Sequence, residues 1–217
     1  MSGVGPPPTF EHRDPQAAEF WTERYAKAFT PWDQGGAPMA LTQALVDGAL
    51  PVAPAKVLVP GCGSGHELAL LDSAGYDWLA IDLAPLAVEQ ARARLASPAA
   101  QQRVRVTDFF ALDTAAGFRW IYERAFLCAL PPASWPSLIA HAARLLERGG
   151  VWAGLFFHDD EAASAERRRG PPFAASTEEL QTLMAPHFMR VADLAVPREQ
   201  SLAAFTGHER WQVWQRR

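Results

Sequence analysis

A glycine-rich turn, Gly61-Cys62-Gly63-Ser64-Gly65, is the feature of the sequence best suited to bind a ligand. Glycine accepts positive φ and has no side chain, so the backbone of such a turn can lie directly against a nucleotide-like molecule. The turn follows the apolar segment Val57-Leu58-Val59, which is typical of a strand that leads into a ligand site. Asp82 comes 21 residues after Gly61. This is the distance expected for a carboxylate that accepts hydrogen bonds from ribose hydroxyls.

The spacing of the glycines favours a ligand without phosphate over a dinucleotide. The dinucleotide fingerprint is Gly-x-Gly-x-x-Gly, with the pyrophosphate at a helix N-terminus. Here the third glycine, Gly65, comes one position early, and the acidic Glu67 lies where a pyrophosphate would need positive potential. The turn therefore favours S-adenosylmethionine as ligand. A NAD-dependent oxidoreductase, and a tight turn that binds nothing, stay open on these residues alone.

Residues near other strand ends could complete such a site. Asp108 and Phe109 follow the third predicted strand and could hold an adenine ring, although core phenylalanines would give the same pattern. Trp21, Trp32 and Phe157 are candidates to face a sulfonium, which aromatic ring faces attract. Trp32 lies in a Pro/Gly-rich loop, where core packing is less often the reason for an aromatic residue.

The sequence offers few groups for acid–base or metal chemistry. His158 is a candidate base for a thiol, and a solvated loop histidine is the simpler interpretation. Arg167-Arg168-Arg169 could guide an anionic substrate or be solvated. We expect Cys62 and Cys128 to be packing residues. We expect no metal site, because the consecutive residues His158-Asp159-Asp160 point in different directions.

Alternating strand and helix patterns position these residues. Parallel strands need crossovers that cover both faces of a sheet, so the pattern predicts an α/β fold with a doubly wound, mostly parallel sheet and helices on both faces. The last two strands lack a long helix between them, which indicates an antiparallel hairpin at one edge. The predicted strands are 57–59, 78–81, 103–106, 120–127, 151–157, 191–196 and 210–214. One predicted helix begins at Asp14-Pro15, and the others span 38–48, 67–73, 85–95, 134–146 and 177–184.

Length and composition suit one domain. We expect residues 1–14 to be a flexible tail and 15–217 to be a single domain, in which 15–50 form a helical cover over the ligand site. The net charge of −4 gives no support to binding of nucleic acid or an anionic membrane. The sequence has no apolar run long enough to cross a bilayer, no secretory signal and only two cysteines. We therefore expect a cytoplasmic monomer that acts on a small molecule.

Four motifs resemble the thiopurine S-methyltransferase family, and most closely its thiol and halide methyltransferase branch. The resemblance extends from about Phe20 to the C-terminus. The motifs are Thr-Pro-Trp-Asp-Gln-Gly at 30–35, Val-Pro-Gly-Cys-Gly-Ser-Gly-His-Glu at 59–67, Phe-Leu-Cys-Ala-Leu-Pro-Pro at 126–132 and Gly-Pro-Pro-Phe at 170–173.

The resemblance implies a seven-stranded Rossmann-like fold and S-adenosylmethionine as methyl donor, with S-adenosylhomocysteine as product. It implies in-line transfer to a soft nucleophile: a thiol, thiopurine, sulfide, thiocyanate or halide, with a small oxygen or nitrogen acceptor as the alternative. Tyr25 stands where the family often has Trp, and Glu123 stands where it usually has Asp, which leaves the use of that carboxylate open. Arg124 is also a candidate on the acceptor side. The expected cofactor-binding residues are Trp21, Tyr25, Trp32, Gly61, Gly63, Gly65, Asp82, Leu83, Asp108, Phe109 and Arg124.

Overall fold

A seven-stranded sheet forms the centre of the computed structural model, which describes residues 8–164, 168–205 and 207–217. Its strands are β1 (Lys56–Pro60), β2 (Asp77–Asp82), β3 (Val104–Val106), β4 (Phe118–Arg124), β5 (Leu146–Phe157), β6 (Phe188–Ala195) and β7 (Glu209–Arg216). They lie in the order β3-β2-β1-β4-β5-β7-β6. β7 is antiparallel to both of its neighbours, and the other pairs are parallel. The predicted Rossmann-like sheet with an antiparallel C-terminal strand is confirmed.

Helices cover both faces of this sheet. The α-helices are α1 (Ala18–Ala26), α2 (Met39–Val46), α3 (Leu68–Ser73), α4 (Pro85–Ala93), α5 (Pro98–Gln101), α6 (Trp135–Leu145) and α7 (Thr177–Met184). Successive residues of a strand point to opposite faces. Val57 and Val59 therefore pack in one core with α2, α3 and α4, whereas Leu58 packs in another with α6 and α7. The order of the strands reverses between β1 and β4, which is where open α/β sheets bind ligands.

β4 is shorter than the sequence predicted and β5 is longer. β4 ends at Arg124 instead of 127 because Ala125 adopts a φ of +56° and the next two backbone N–H groups bond to a side chain instead of a strand. β5 starts at Leu146 instead of 151 because Leu146 pairs with Phe118. Gly149, which follows the predicted helix 134–146, therefore lies within β5. The short helix α5 was not predicted.

Part of the N-terminal segment that was expected to be a flexible tail lies along α1. Asp14 does not cap α1, which begins at Ala18 after Ala17. The backbone N–H groups of Glu11 and His12 donate to the Glu23 carboxylate. Residues 8–14 are thus attached to α1, in contrast to the flexible tail expected for 1–14, and residues 1–7 of that tail lie outside the described residues.

The described helices are all too short or too polar to pass through a lipid bilayer.

Candidate active site

The glycine turn lies at the carboxyl end of β1, in a conformation that favours glycine. φ is +59° at Gly61 and +54° at Gly63, a region that residues with side chains rarely adopt. A Cβ at Gly61 would lie 3.0 Å from Cδ2 of Phe126, and a Cβ at Gly63 would lie 3.0 Å from the Tyr25 hydroxyl oxygen. Side chains at these positions would therefore crowd the cavity that the turn lines.

Gly65 has a different task from the other two glycines. Its φ is +71°, and a Cβ there would lie 2.7 Å from Cβ of Ala91 in α4. Gly65 is absent from the described lining of the cavity. It allows the turn to approach α4 closely, so its need for glycine comes from packing.

Asp82, at the end of β2, holds the turn in place. Its Oδ2 accepts a hydrogen bond from the Gly63 N–H at 3.0 Å, and its Oδ1 accepts one from the Ala84 N–H at 2.9 Å. Burial raises the pKa of this carboxyl although backbone hydrogen bonds oppose the shift. A carboxylate has about four acceptor positions, so each oxygen can also accept from a ribose hydroxyl.

A cavity of about 520 Å³ opens above the carboxyl ends of the strands, within the size range of small-molecule sites. Its wall comes from α1 and the following loop, the glycine turn, the ends of β2, β3 and β4, and residues 170–172 and 204–205. The structure brings together ten of the predicted cofactor-binding residues in this wall: Trp21, Tyr25, Trp32, Gly61, Gly63, Asp82, Leu83, Asp108, Phe109 and Arg124.

Aromatic rings form the side of the cavity that faces the N-terminal segment. The ring centroid of Trp32 lies 5.4 Å from that of Trp21 and 6.0 Å from that of Tyr25, both edge-on. Trp32 Nε1 donates to the Tyr25 hydroxyl at 3.3 Å, and Trp21 Nε1 donates to the Pro15 carbonyl at 2.8 Å. The indole N–H groups are satisfied within the protein, and the ring surfaces are suited to attract a sulfonium.

Asp33, which the sequence reasoning missed as a site residue, joins the loop at residues 30–36 to the glycine turn. Its Oδ1 lies 2.7 Å from His66 Nε2 and accepts from the Gly35 N–H at 2.8 Å, while Ser64 Oγ donates to its Oδ2. Burial acts to raise the pKa of Asp33, but the hydrogen bonds from Ser64, Gly35 and His66 outweigh it and hold the pKa below its usual value. The signal in the sequence that could have identified Asp33 was its acidic side chain within a Pro/Gly-rich motif.

Arg124, at the end of β4, lines the cavity next to Glu67 and Gln34. Its Nε lies 3.6 Å from Oε1 of Glu67, and its Nη2 donates to Oε1 of Gln34 at 3.3 Å. Burial raises the pKa of the Glu67 carboxyl against the effect of Arg124. The buried Nη1 of Arg124 makes no hydrogen bond with the described residues, and an unpaired buried donor of this kind costs about 1–3 kcal/mol. The guanidinium therefore favours an anionic or polar ligand.

The segment after β6 supplies the last part of the wall. The buried Glu209 accepts hydrogen bonds from Ser201 Oγ at 2.6 Å and from the Leu202 N–H at 2.5 Å. These bonds hold the short turn that carries Phe205 into the cavity wall. The Phe205 ring stacks on that of Phe157 at 4.6 Å, so Phe157 supports the wall without lining it.

Glu123 turns away from the cavity, and its contacts show how this carboxylate, whose use the sequence left open, is employed. Its Oε1 accepts from the N–H groups of Phe126 and Leu127 at 2.9 and 3.0 Å, and its Oε2 accepts from Trp152 Nε1 at 3.1 Å. Burial raises the pKa of Glu123 to about 7, against these hydrogen bonds. The carboxylate fixes the turn after β4, and Phe126 in that turn contacts the glycine turn.

The adenine candidates combine both interpretations that the sequence allowed. Phe109 is buried, with its ring 5.0 Å from that of Phe126 and 5.1 Å from that of His141, and it also lines the cavity. Asp108 is exposed, and its Oδ1 accepts from the Phe110 N–H at 2.9 Å.

His158, Arg168 and Arg169 are absent from the described lining of this cavity. His158 is buried beside a second, more polar cavity next to β7, and burial lowers its pKa. Arg168 pairs with Glu179 at 2.6 Å and lies over the Trp135 ring, so its guanidinium is engaged in contacts within the protein. Arg169 is exposed, and Arg167 lies outside the described residues.

The two cysteines are free and buried, as packing residues would be. Both line the cavity, and burial raises the pKa of both thiols. Among the residues that the structure describes, no three His, Cys, Asp or Glu side chains are grouped closely enough to hold a metal ion.

Comparison with known proteins decides the family. The family model for thiopurine S-methyltransferase (TPMT) matches residues 16–217. The chain belongs to the thiopurine S-methyltransferase family. It is therefore an S-adenosylmethionine-dependent methyltransferase, and this membership decides against the NAD-dependent oxidoreductase that the glycine turn alone left open.

Individual relatives and solved structures agree with this family. The chain is 27% identical to the probable thiol methyltransferase 2 of Arabidopsis thaliana, over 90% of this chain and 84% of that protein. It is 31% identical to the thiopurine S-methyltransferase of Bordetella petrii, over 78% of this chain and 82% of that protein. The fold is similar to the Burkholderia thailandensis 1,6-didemethyltoxoflavin-N1-methyltransferase solved with S-adenosylhomocysteine, with a TM-score of 0.68, 23% identity and coverage of 92% and 86% of the two chains.

Proposed function

We propose that this methyltransferase transfers the methyl group of S-adenosylmethionine to a small soft nucleophile such as a thiol, thiopurine, sulfide, thiocyanate or halide. The observation that carries the proposal is the shared cavity, in which the glycine turn and Asp82 lie with the aromatic wall and the partly unpaired guanidinium of Arg124. Relatives named thiol, thiocyanate and thiopurine methyltransferases support this class of acceptor.

The residues present fit the methyl donor. The side-chain-free backbone at Gly61 and Gly63 would hold its methionine part, Asp82 its ribose, and Asp108 with Phe109 its adenine. When bound, the donor supplies an electrophilic methyl group on a sulfonium. Trp21, Tyr25 and Trp32, joined by the contacts described above, would cover the sulfonium side and exclude water.

The protonation chemistry of the wall favours an acceptor that needs no strong base. The histidine found in the described lining, His66, is bonded to Asp33, and Glu67 faces Arg124. Burial raises the pKa of the Tyr25 hydroxyl, so it stays protonated. His158 lies at the other cavity. An acceptor that arrives ionised or polarisable would meet Arg124, and positioning would supply most of the rate acceleration.

Two measurements test the proposed function. Calorimetric titration with S-adenosylhomocysteine should show saturable binding at one site per chain, and absence of binding would reject the donor site. A screen of thiols, thiopurines, hydrosulfide, thiocyanate, iodide, phenols and amines with labelled donor should give product from the sulfur or halide group. Transfer only to phenols or amines would instead establish the oxygen or nitrogen alternative.

We further propose that the protein is a cytoplasmic monomer that acts on a small molecule and does not bind nucleic acid. Two buried, unpaired cysteines suit a reducing compartment, and a net charge of −4 does not favour a polyanion. We also propose that residues 15–217 form one domain with 15–50 as its cover. Limited proteolysis should then cut within the first residues and leave the rest intact, and an early cut near residue 50 would contradict this division.

A further inference from the structure

The loop at residues 30–36 bonds to the glycine turn and to Arg124 through two adjacent residues. Asp33 bonds to Ser64 and His66 in the glycine turn, on the donor side. Gln34 bonds to Arg124, the candidate acceptor contact, whose Nε also lies 3.6 Å from Oε1 of Glu67. The predicted roles of the glycine turn and of Arg124 do not account for a single loop that reaches both.

The bonds on the donor side are well protected. Ser64 is 4% exposed, and the side chains of His66 and Asp33 are 15% and 20% exposed in their ion pair. His66 Nδ1 also lies 3.5 Å from Nε of Arg94, which follows α4. Asp33 is thus the acceptor for two side chains of the turn that would hold the methionine part of the donor.

Gln34 makes a bridge between Arg124 and Ser201. Its Oε1 accepts from Nη2 of Arg124 at 3.3 Å, and its Nε2 donates to the Ser201 carbonyl at 3.0 Å. Ser201 is in turn held by Glu209 in β7, next to the turn that carries Phe205. Gln34 therefore links the guanidinium to the wall on the acceptor side of the cavity.

The loop that carries these two residues is compact. The Asp33 N–H donates to the Thr30 carbonyl at 2.9 Å, and Gly35, with a φ of +76°, donates its N–H to Asp33 Oδ1. Trp32, the residue before Asp33, packs against Trp21 and Tyr25. A shift of the loop at Asp33 would therefore move Gln34 as well.

We propose that the loop at residues 30–36 is a clasp between the glycine turn and Arg124, in which Asp33 and Gln34 are positioning residues that couple donor binding to acceptor binding. This inference rests on the proposed function. A bound donor holds the glycine turn and so favours the closed loop, and the closed loop orients Arg124 through Gln34. Coupling of two ligands through one element is reciprocal, so each site should respond when the grip on the other side is removed.

The test measures these cross effects in the full-length protein. Asp33→Asn, which does not alter the contact with Arg124, should raise the acceptor KM by about fivefold or more at saturating donor. Gln34→Leu, which keeps the bonds of Asp33 to Ser64 and His66, should weaken S-adenosylhomocysteine binding in calorimetry by about the same factor. In the double variant, the acceptor KM and the S-adenosylhomocysteine affinity should be little worse than in the more impaired single variant, because either change opens the same clasp.

The matched controls are Gln43 in α2 and Asp47 directly after α2. Both residues are exposed and absent from the described cavity lining, and Gln43 donates a hydrogen bond of 2.7 Å to Asp47. Gln43→Leu and Asp47→Asn should leave both constants unchanged. If Asp33→Asn changes donor affinity alone and Gln34→Leu changes the acceptor KM alone, the clasp is overturned although the methyltransferase assignment stands. Unchanged S-adenosylhomocysteine affinity in a folded Gln34→Leu variant also overturns it, and this readout needs no turnover. Absence of binding by the unmodified protein would instead reject the proposed donor site itself.

Discussion

Acidic side chains at and beneath the cavity differ in function because their hydrogen-bond donors differ. Asp82 accepts from backbone N–H groups of the turn, and Asp33 accepts from side chains of the same turn. Glu123 accepts from the turn after β4 on the opposite face of the sheet. The donor set of each carboxylate therefore determines whether it can contact a ligand, align the site or hold a loop.

Removal of the Asp82 carboxylate should weaken donor binding and loosen the turn together. Asp82→Ala removes the expected ribose contact, so S-adenosylhomocysteine affinity should fall by about 1–3 kcal/mol in calorimetry. It also leaves the Gly63 and Ala84 N–H groups without their acceptor, which should lower the free energy of unfolding. Asp77→Ala, at the exposed start of β2, is the control and should change neither quantity. Unchanged affinity in Asp82→Ala would show that the ribose contact is wrongly assigned.

Glu123 should make stability depend on pH near neutrality. Its pKa is about 7 in the folded protein against an ordinary value of 4.5, so the folded state keeps a proton that the unfolded state loses in this interval. The stabilisation is complete below pH 4.5 and is lost as pH rises to about 7, by an amount on the order of 3 kcal/mol.

Urea unfolding at pH 5.5 and pH 8 checks this prediction. Glu123→Gln should show a smaller loss of stability between the two pH values than the unmodified protein. Glu89→Gln, an exposed residue of α4, serves as the control and should keep the full pH dependence. An equal pH dependence in Glu123→Gln and the unmodified protein would contradict the raised pKa.

The location of a site residue was predictable from the sequence where the end of a single strand determines it. Gly61 follows β1 directly and Asp82 is the last residue of β2, so the pattern of the chain was enough to place them in one cavity. Gln34 and Phe205 were missed because their partners lie far away in the sequence, as in the contact of Gln34 with Ser201. His158 does follow a strand of the same edge, but its side chain lies beside the second cavity.

At the scale of elements, the glycine turn is fixed between β1 and α4. The turn reaches α4 through Gly65, the ligand cavity through Gly61 and Gly63, and β2 through Asp82. The three glycines of the motif are thus required for two reasons, ligand access and packing. Substitution can separate these two requirements.

Gly65→Ala should therefore affect folding more directly than ligand contact. The added Cβ would lie 2.7 Å from Cβ of Ala91 at a φ of +71°, so the free energy of unfolding should fall by about 1–3 kcal/mol. Thermal and urea unfolding measure this loss. Gly36→Ala, whose Cβ would have no heavy atom within 4 Å, is the matched control and should leave stability nearly unchanged. Equal stability of the two variants would contradict the close approach of the turn to α4.

Element types were predictable and some of their ends were not. Apolar strands and amphipathic helices follow from local periodicity, which is why the parallel core of the sheet was expected correctly. The end of β4 depends on Glu123, which takes backbone donors that a longer strand would need. The start of β5 depends on its pairing with β4, and no local pattern in a Glu-Arg-Gly-Gly segment indicates a strand.

For the whole molecule, the antiparallel strand β7 brings the C-terminal region to the active site. β7 lies between β5 and the edge strand β6, and its first residue, Glu209, holds the turn with Phe205. The N-terminal segment closes the same cavity from the other direction through α1 and the loop at 30–36. Residues from both segments therefore line one cavity.

The exposed edge of the sheet bears on whether the protein assembles. β6 carries the half-exposed apolar residues Met189, Val191 and Leu194, which could favour pairing with a second copy. The same strand carries Arg190 and Asp193, whose side chains pair at 3.0 Å, and Asp193 also pairs with Arg210 at 2.6 Å. Charged side chains on an edge strand oppose pairing between edges. We therefore expect the charges to outweigh the separate apolar side chains.

Sedimentation should accordingly show a monomer of 23.8 kDa at micromolar concentration. Val191→Lys adds a further charge to β6 and should leave the sedimentation coefficient unchanged, because the expected monomer has no edge contact for it to break. Asp193→Ala removes the acidic partner of two arginines and should lower stability while the protein stays monomeric. A dimer that Val191→Lys dissociates would contradict the prediction and identify β6 as the interface.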